Sequence, residues 1–287
     1  MRYFEIMDEM FDEFEEYKDI NKGKGIRGKL ITIIAPNAEK LAAIVESIHL
    51  ASLLHDDVID KAELRRWVAS INAKYGEHTA TMLGDIIYSR AFYELIDFGN
   101  EVAKTISNAV YLLSQGELED VKLSKDINLD KNKYMQMIYK KTASLIEASC
   151  MAAAIVSGYN KKDFEIYGKN IGIAFQIIDD LLDITQDEEV LGKPSMHDFY
   201  EGKVTLPFIY LFEKADSKEI EKLKSLYKKK LSNEETKYIR ELMNKYNIIE
   251  KCYNEAKELI VEAKKAVNKY NLPELLIIAN KVIERKF

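Results

Sequence analysis

The chain has 287 residues, 47% of them hydrophobic and 31% charged, which is enough to bury a large core and argues against a disordered segment. Its net charge of −6 argues against nucleic-acid binding, and its two widely separated cysteines argue against a disulfide framework or a CxxC zinc site. Since the acidic N-terminus lacks a signal-peptide pattern and no apolar run reaches the roughly 18 residues of a membrane span, we expect a cytoplasmic protein without an integral membrane segment.

Helical periodicity recurs along the chain. Apolar residues at spacings of three and four predict an amphipathic helix over residues 3–18, and the glycine-containing segment 21–29 ends it. Further helical patterns cover residues 39–59, 72–98 and 163–185, while Gly116 and Gly158 fall inside others. Long amphipathic helices therefore account for most of the first two thirds of the sequence.

The C-terminal third carries signals for helix starts. Ser232 and Glu235 have the spacing of a capping box, and Pro273 is placed to open a last helix. Only 12 glycines and 4 prolines interrupt the whole chain, and no strand alternation is visible. We therefore predict an all-α fold, a bundle of long helices in a single domain over residues 1–287.

A cluster of aspartates ends the helical run "IHLASLLHDDVID". Asp56 and Asp60 are four residues apart, so a helix places their side chains about 5–6 Å apart on one face. Such acids are often only a solvated helix end. Negative charge at a helix C-terminus opposes the helix dipole, however, which favours a bound cation.

A second cluster repeats this spacing in "AFQIIDDLLDI", with Asp179, Asp180 and Asp183 following an apolar helical run. Carboxylates without accompanying histidine or cysteine suit a hard cation. Mg²⁺ takes one or two such ligands and completes its shell with water and substrate phosphates. The two D-D-x-x-D clusters together predict a phosphorylated substrate held through magnesium.

These motifs resemble the trans-isoprenyl diphosphate synthases, the polyprenyl synthetase family, over nearly the whole chain. Six patterns agree in order: Gly23-Lys24 with Arg27; His49 seven residues before Asp56; the first aspartate cluster followed by Arg65-Arg66; Lys141-Thr142; Phe175-Gln176 before the second cluster; and Lys193 with Lys203 after it. The resemblance implies the isoprenoid synthase fold, in which helices surround a deep apolar channel. It also implies a prenyltransferase, usually a homodimer.

The resemblance assigns substrates, a cofactor and residues. It implies joining of isopentenyl diphosphate to an allylic diphosphate such as farnesyl diphosphate, with Mg²⁺ as cofactor. Positions matching catalytic residues are Asp56, Asp57, Asp60, Asp179, Asp180, Asp183, Lys141 and Lys203, and all these aspartates except Asp57 match metal ligands. Positions matching the allylic diphosphate site are Arg65, Lys141, Thr142, Gln176, Lys193 and Lys203. Those matching the isopentenyl diphosphate site are Lys24, Arg27, His49 and Arg66.

Periodicity adds to two of these assignments. His49 lies about 20° around an ideal helix from Asp56, on the same stripe, which favours a substrate-binding role over an ordinary core histidine. Asp57 lies about 100° around the helix from Asp56 and is expected to act through a neighbouring group.

Product length is expected to depend on the residues above the channel. In the family, the positions of Ala51 and Ser52 help to set how far the growing chain extends, and small residues there imply a product of the octaprenyl class for a quinone side chain. Phe92 is a candidate channel floor, although a core role is the commoner meaning of such a residue.

The chain departs from the family pattern in two segments. "GGKRxRP" appears as Lys22–Gly28 without one arginine and the proline, and Trp67–Ser70 replaces a Gly-x-Pro turn. The alternatives that stay open are a geranylgeranyl synthase, a class I terpene cyclase, a metal-dependent phosphohydrolase using His55-Asp56, and a non-catalytic subunit of a heteromeric synthase. An all-aspartate second cluster favours the synthase over the cyclase.

Overall fold

The computed structural model describes residues 1–65, 68–186 and 195–284. Their Cα positions form two compact units: Met1–Val110 with Leu145–Glu165, and Tyr111–Ser144 with Ile166–Phe287. The described residues are overwhelmingly helical, so the predicted all-α class is confirmed. The division leaves a single domain over residues 1–287 as a prediction.

The first unit is built around one long central helix. Its helices are α1 (Arg2–Phe11), α2 (Ile26–Ile34), α3 (Glu39–Ile59), α4 (Ile71–Tyr75) and α5 (Glu77–Leu95), followed by the first part of α6 (Gly99–Leu123), most of α8 (Ser144–Ser157) and the start of α9 (Lys161–Thr185). Helix α3 packs against α1, α2 and α5, and most of its side chains are buried. Burial on nearly every face agrees with the apolar residues that occur all around this helix.

The second unit contains the rest of the long helices and the C-terminal region. Its further elements are α7 (Lys131–Ile138), a π-helical turn (Tyr139–Ala143), α10 (His197–Glu201), α11 (Leu206–Lys214), α12 (Ser217–Leu226), α13 (Asn233–Lys245), α14 (Ile248–Val267) and α15 (Pro273–Ile283). Helix α14 packs against α11, α13 and α15. The capping box of Ser232 with Glu235 and the proline start of α15 are both present, as predicted.

Four local expectations need correction. The predicted helical run over residues 72–98 is interrupted at Gly76, φ +90°, which separates α4 from α5. The first helix ends at Phe11, and a short 3₁₀ turn (Glu16–Asp19) follows, because burying the Phe11 and Tyr17 rings together, 5.0 Å between centroids, turns the chain back. Gly158, with φ +72°, follows α8 instead of lying inside a helix. A short hairpin of β1 (Leu64–Arg65) and β2 (Val68–Ala69) was not predicted, since two-residue strands carry no periodicity.

Two further findings concern the whole described chain. Both cysteines, Cys150 and Cys252, are buried free thiols. Among the described helices, none combines the length and apolar character needed to cross a membrane.

Candidate active site

The first aspartate cluster lies at the C-terminal end of α3. Asp56 is half-buried, Asp57 is 4% exposed and Asp60 is exposed as the capping residue, whose N–H donates to the Asp56 carbonyl at 2.8 Å. Lys61 then takes a left-handed conformation, φ 51°, and turns the chain away from the helix axis. The three carboxylates therefore differ in their access to solvent, which the sequence spacing does not reveal.

Asp57 and Arg65 form a charge-assisted fork. Nε of Arg65 donates to both carboxylate oxygens of Asp57 at 2.9 and 2.8 Å, and an Nη atom donates to one of them at 2.6 Å. The β1–β2 hairpin carries Arg65 back over the end of α3. Asp57 thus acts on Arg65, a residue predicted to bind the allylic diphosphate, whereas Arg66 lies outside the described residues.

The chain-length candidates occupy α3 and α5. Ala51 is fully buried, and Ser52, 4% exposed, donates its hydroxyl to the His49 carbonyl at 2.8 Å. On α5 the Tyr88 ring stacks on Phe92 at 6.1 Å and contacts the ring of His55, beside Asp56, at 5.5 Å. A row of rings therefore leads from the aspartate cluster to Phe92.

A pocket in the second unit collects most of the other predicted residues. It is lined by Asp120, Leu123, Ser124, Asn128, Tyr134, Met137, Ile138, Lys141, Thr142, Gln176, Asp179, Asp180, Asp198, Lys203, Val204 and Thr205. Six of these were predicted site residues: Lys141, Thr142, Gln176 and Lys203 for the allylic diphosphate, and Asp179 and Asp180 of the second cluster. Lys193 lies outside the described residues.

A π-helical turn presents Lys141 and Thr142 to this pocket. The turn spans Tyr139–Ala143 between α7 and α8, and such turns in α-helices frequently mark functional sites. Gly116 of α6 packs directly against the Lys141 backbone, where a Cβ atom has no room. The close approach of α6 therefore depends on a glycine.

Lys141 is held by two buried acids of α6. Its ammonium group lies 2.8 Å from Glu117 Oε2 and 2.7 Å from Asp120 Oδ2, and these residues are 8% and 5% exposed. Pairing and hydrogen bonding are what make buried charges tolerable. The lysine therefore enters the pocket from a fixed anchor.

Asp180 ends a chain of hydrogen bonds. Thr142 Oγ1 donates to Gln176 Oε1 at 2.9 Å, Gln176 Nε2 donates to Asp180 Oδ1 at 2.9 Å, and the Tyr134 hydroxyl donates to Asp180 Oδ2. Burial, with the negative charges of Asp198 and Asp179, raises the pKa of Asp180 well above its usual value. Both oxygens of this carboxylate are thus engaged by protein donors.

The other aspartates of the second cluster differ from Asp180. Asp179 is exposed at the pocket, whereas Asp183 is 3% exposed and its Oδ2 accepts the backbone N–H of Asp198 at 3.2 Å, at the start of α10. Lys203 lies at the pocket with its ammonium 2.7 Å from Glu201 Oε2. In the second cluster, Asp179 is the aspartate that is best placed to meet a ligand.

The charges around the pocket explain what it could hold. Among the described residues that line it, four are aspartates and two are lysines, and both lysines already contact acids. A diphosphate entering such a pocket would be repelled unless a cation accompanied it. No three acidic, histidine or cysteine side chains within residues 1–65, 68–186 and 195–284 are placed to hold a metal alone. Mg²⁺ fits this arrangement, because it takes few protein carboxylates and relies on phosphate oxygens and water.

Sequence reasoning missed four residues of this pocket and its supports: Tyr134, Glu117, Asp120 and Asp198. Tyr134 precedes Lys141 by seven residues, a spacing that places two side chains about 20° apart on a regular helix and could have drawn attention to it. The acids of α6 gave no such signal, since a charged run usually means a solvated face.

Comparison with known proteins adds independent findings. The polyprenyl synthetase family model matches residues 8–245. Octaprenyl diphosphate synthase of Escherichia coli is 34% identical over 257 residues, covering 85% of this chain and 78% of the relative. Geranylgeranyl diphosphate synthase of Sulfolobus acidocaldarius is also 34% identical, over 260 residues, covering 82% and 78%. The crystal structure of octaprenyl pyrophosphate synthase from Helicobacter pylori superposes with a TM-score of 0.94 at 41% identity, covering 99% of this chain and 98% of that one.

Replacing Tyr134 by phenylalanine tests the hydrogen bond to Asp180. Since the variant leaves a buried carboxylate short of one donor, we expect the free energy of unfolding to fall by about 1–3 kcal/mol. Urea denaturation followed by circular dichroism measures it. Tyr111→Phe is the matched control, because Tyr111 is 62% exposed. Equal stability of the two variants would show that the Tyr134 hydroxyl does not support Asp180.

Proposed function

The chain belongs to the polyprenyl synthetase family and is a prenyltransferase, and on this premise we propose that it lengthens an allylic diphosphate, such as farnesyl diphosphate, by successive addition of isopentenyl diphosphate in the cytoplasm. The product is an all-trans polyprenyl diphosphate of the octaprenyl class, used for a quinone side chain. Mg²⁺ is the cofactor.

The observation that carries this proposal is the second-unit pocket, where acidic side chains outnumber lysines and a π-helical turn presents Lys141 and Thr142. The groups suit a diphosphate that arrives with divalent cations, since lysine ammonium groups donate to phosphate oxygens and carboxylates bind the metal. Nothing in the chemistry requires a nucleophilic side chain, and none of the described lining residues is a cysteine or a histidine.

The proposed roles of the residues are those that the family resemblance implies, and their positions support them. Lys141, Lys203 and Thr142 bind the allylic diphosphate and stabilise the charge that develops as it leaves. Magnesium, when bound, neutralises that leaving group. Asp179 is the proposed metal ligand in the pocket of the second unit. Within the first unit, Asp56 and Asp60 are proposed metal ligands at the end of α3. Asp180 and Asp183 are also predicted metal ligands. Each already accepts a hydrogen bond from the protein, so metal binding would have to replace that hydrogen bond or leave it in place beside the metal.

Product length is the second part of the proposal. Ala51 and Ser52 on α3 are small and buried, and the Tyr88 and Phe92 rings follow on α5. Small residues leave room for a long chain, and the similarity to octaprenyl synthases supports that class. The similarity to a geranylgeranyl synthase keeps the shorter product as the second candidate.

A homodimer is the third part. Met82, Ile86, Tyr93 and Ile96 are 55%, 37%, 68% and 68% exposed. At about 100° per residue they fall within one face of α5 and the turn after it. Exposed apolar side chains aligned in this way are typical of an interaction surface. We assign this stripe to a second copy of the chain.

Activity is tested by incubating the protein with isopentenyl diphosphate, farnesyl diphosphate and Mg²⁺ and separating the products by chromatography. We expect elongation by the wild type and a loss of turnover of about 100- to 1,000-fold in Asp179→Ala, because charge stabilisation of the leaving group is lost. Asp126→Ala, an exposed aspartate of the same unit, is the matched control. If the wild type does not elongate farnesyl diphosphate, the proposed function is contradicted. Formation of a cyclic hydrocarbon would favour the terpene cyclase.

Product length is tested with Ala51→Phe and Ser52→Phe. An aromatic ring at either position is expected to shorten the product by several isoprene units, since it fills space that the chain needs. Mass spectrometry of the dephosphorylated alcohols measures the length. Unchanged product length in both folded variants would place the limiting wall elsewhere, and a C20 product of the wild type would favour the geranylgeranyl synthase.

The dimer is tested with Ile86→Lys. We expect the mass from light scattering to fall from that of two chains to one, because burying an unpaired charge in an interface is costly. Val261→Lys, at a residue of the second unit that is 55% exposed, is the control and should leave the mass unchanged. A wild type that is monomeric at micromolar concentration would contradict the proposal.

A further inference from the structure

The segment Gly23–Gly28 of the first unit is enclosed on two sides by residues distant in sequence. It contains Lys24 and Arg27, the predicted donors to isopentenyl diphosphate, and leads into α2. Tyr3 of α1 lies against one side, and Glu46 of α3 lies against the other. Both flanking residues are 3% exposed.

Tyr3 fills space that two glycines leave. Its hydroxyl donates to the Gly25 carbonyl at 2.9 Å. A Cβ atom at Gly28 would lie 2.8 and 2.9 Å from atoms of the Tyr3 ring, and one at Gly25 would lie 2.8 Å from the Phe4 ring. Gly25 also has φ +59°, a conformation that favours glycine. The rings of α1 therefore require glycine at both positions.

Glu46 holds the same segment from α3. Its Oε1 accepts the Gly28 N–H at 2.6 Å, and the backbone of Arg27 also donates to the carboxylate. A proline at position 28, as in the family pattern, would have no N–H to offer. Negative charge at the N-terminus of α2 is also favourable to the helix dipole. Compared with proline, Gly28 is less rigid, but its N–H can donate a hydrogen bond to the buried Glu46.

The electrostatics of the cluster agree with this geometry. Burial raises the pKa of Tyr3 to about 12, with the charge of Glu46 adding to it, so the hydroxyl stays a donor. Burial also raises the pKa of Glu46, and the Arg27 charge opposes that shift. Nε of Arg27 is buried without a hydrogen-bond partner among the described residues. The Nε–H of Arg27 therefore remains available as a donor.

We propose that Tyr3 and Glu46 are positioning residues for isopentenyl diphosphate: they clamp Gly23–Gly28 between α1 and α3 and so hold Lys24 and Arg27 in their binding positions. The clamp replaces the arginine and proline that this segment lacks. It makes the N-terminal helix a determinant of affinity for one substrate. This inference rests on the proposed function.

The first test compares kinetic constants for the two substrates. Tyr3→Ala should raise KM for isopentenyl diphosphate roughly tenfold, less than the hundredfold loss that a misplacement of about 1 Å can cause. KM for farnesyl diphosphate and kcat should change less than about twofold, since uniform binding of one substrate is lost. Tyr3→Phe, which keeps the ring, should show a smaller rise in the same constant.

Phe11→Ala is the matched control on α1. Phe11 is fully buried and packs on Tyr17, so this variant removes a ring of α1 other than the one on the glycine segment. It should lower thermal stability without the selective rise in KM. An equal rise in Phe11→Ala, or equal effects of Tyr3→Ala on both substrates, would mean that Tyr3 only stabilises the fold.

The second test is a double-mutant cycle between Tyr3 and Gly28. Gly28→Ala should raise KM for isopentenyl diphosphate when Tyr3 is present, because the new methyl group meets its ring. In the Tyr3→Ala background the same change should raise KM less, since the ring is gone and only the contact with Glu46 Cγ, at 3.1 Å, remains. Additive effects would overturn the clamp.

Glu46→Gln and Glu46→Ala test the other side of the clamp. Glutamine keeps an oxygen for the Gly28 N–H and should raise KM for isopentenyl diphosphate less than alanine does. Equal constants in both variants and the wild type would remove Glu46 from the inference. A wild type without any condensation activity refutes the proposed function, whereas an active wild type with an unchanged KM in Tyr3→Ala refutes only the clamp.

Discussion

Buried carboxylates that need partners are the constraint on which the described site depends. Among the described residues of the second unit, four acids are less than 10% exposed: Glu117, Asp120, Asp180 and Asp183. A carboxylate in such a place must be paired, hydrogen-bonded or protonated. Lys141 forms ion pairs with Glu117 and Asp120. Tyr134 and Gln176 donate hydrogen bonds to Asp180, and the backbone N–H of Asp198 donates one to Asp183. The donors close to these acids are therefore already engaged with carboxylates of the protein.

This internal pairing leaves the pocket surface short of positive charge. The lysines that line it are anchored by acids, and Asp179 stands exposed beside them. A diphosphate in this pocket would meet more acids than lysines, which supports the proposed role of a divalent cation. The same pairing fixes the geometry of Lys141 and Thr142 before a substrate arrives, which lowers the cost of ordering them. The pairing of lysines with acids thus accounts both for the shortage of positive charge in the pocket and for the fixed positions of Lys141 and Thr142.

In the first unit, the segment Gly23–Gly28 is held in place by close packing between its glycines and aromatic rings. Its predicted isopentenyl diphosphate segment departs from the family pattern, and the sequence alone suggests only missing donors. The structure shows Tyr3 occupying the volume beside Gly25 and Gly28, with Glu46 accepting the N–H that proline would lack. A departure in one segment is thereby matched by a residue of another helix.

The sequence by itself determined the helical class, the bounds of α3 at residues 39–59, both aspartate clusters and the family, because periodicity and motif spacing are local properties. Only the tertiary structure decided which aspartates are exposed, that Asp57 engages Arg65, and that a π-helical turn carries Lys141. It also supplied Tyr134 for Asp180 across 46 residues, Tyr3 for Gly25 across 22 and Glu46 for Gly28 across 18. These pairs depend on how helices pack, and the hydrophobic pattern that drives packing does not record which polar groups will meet.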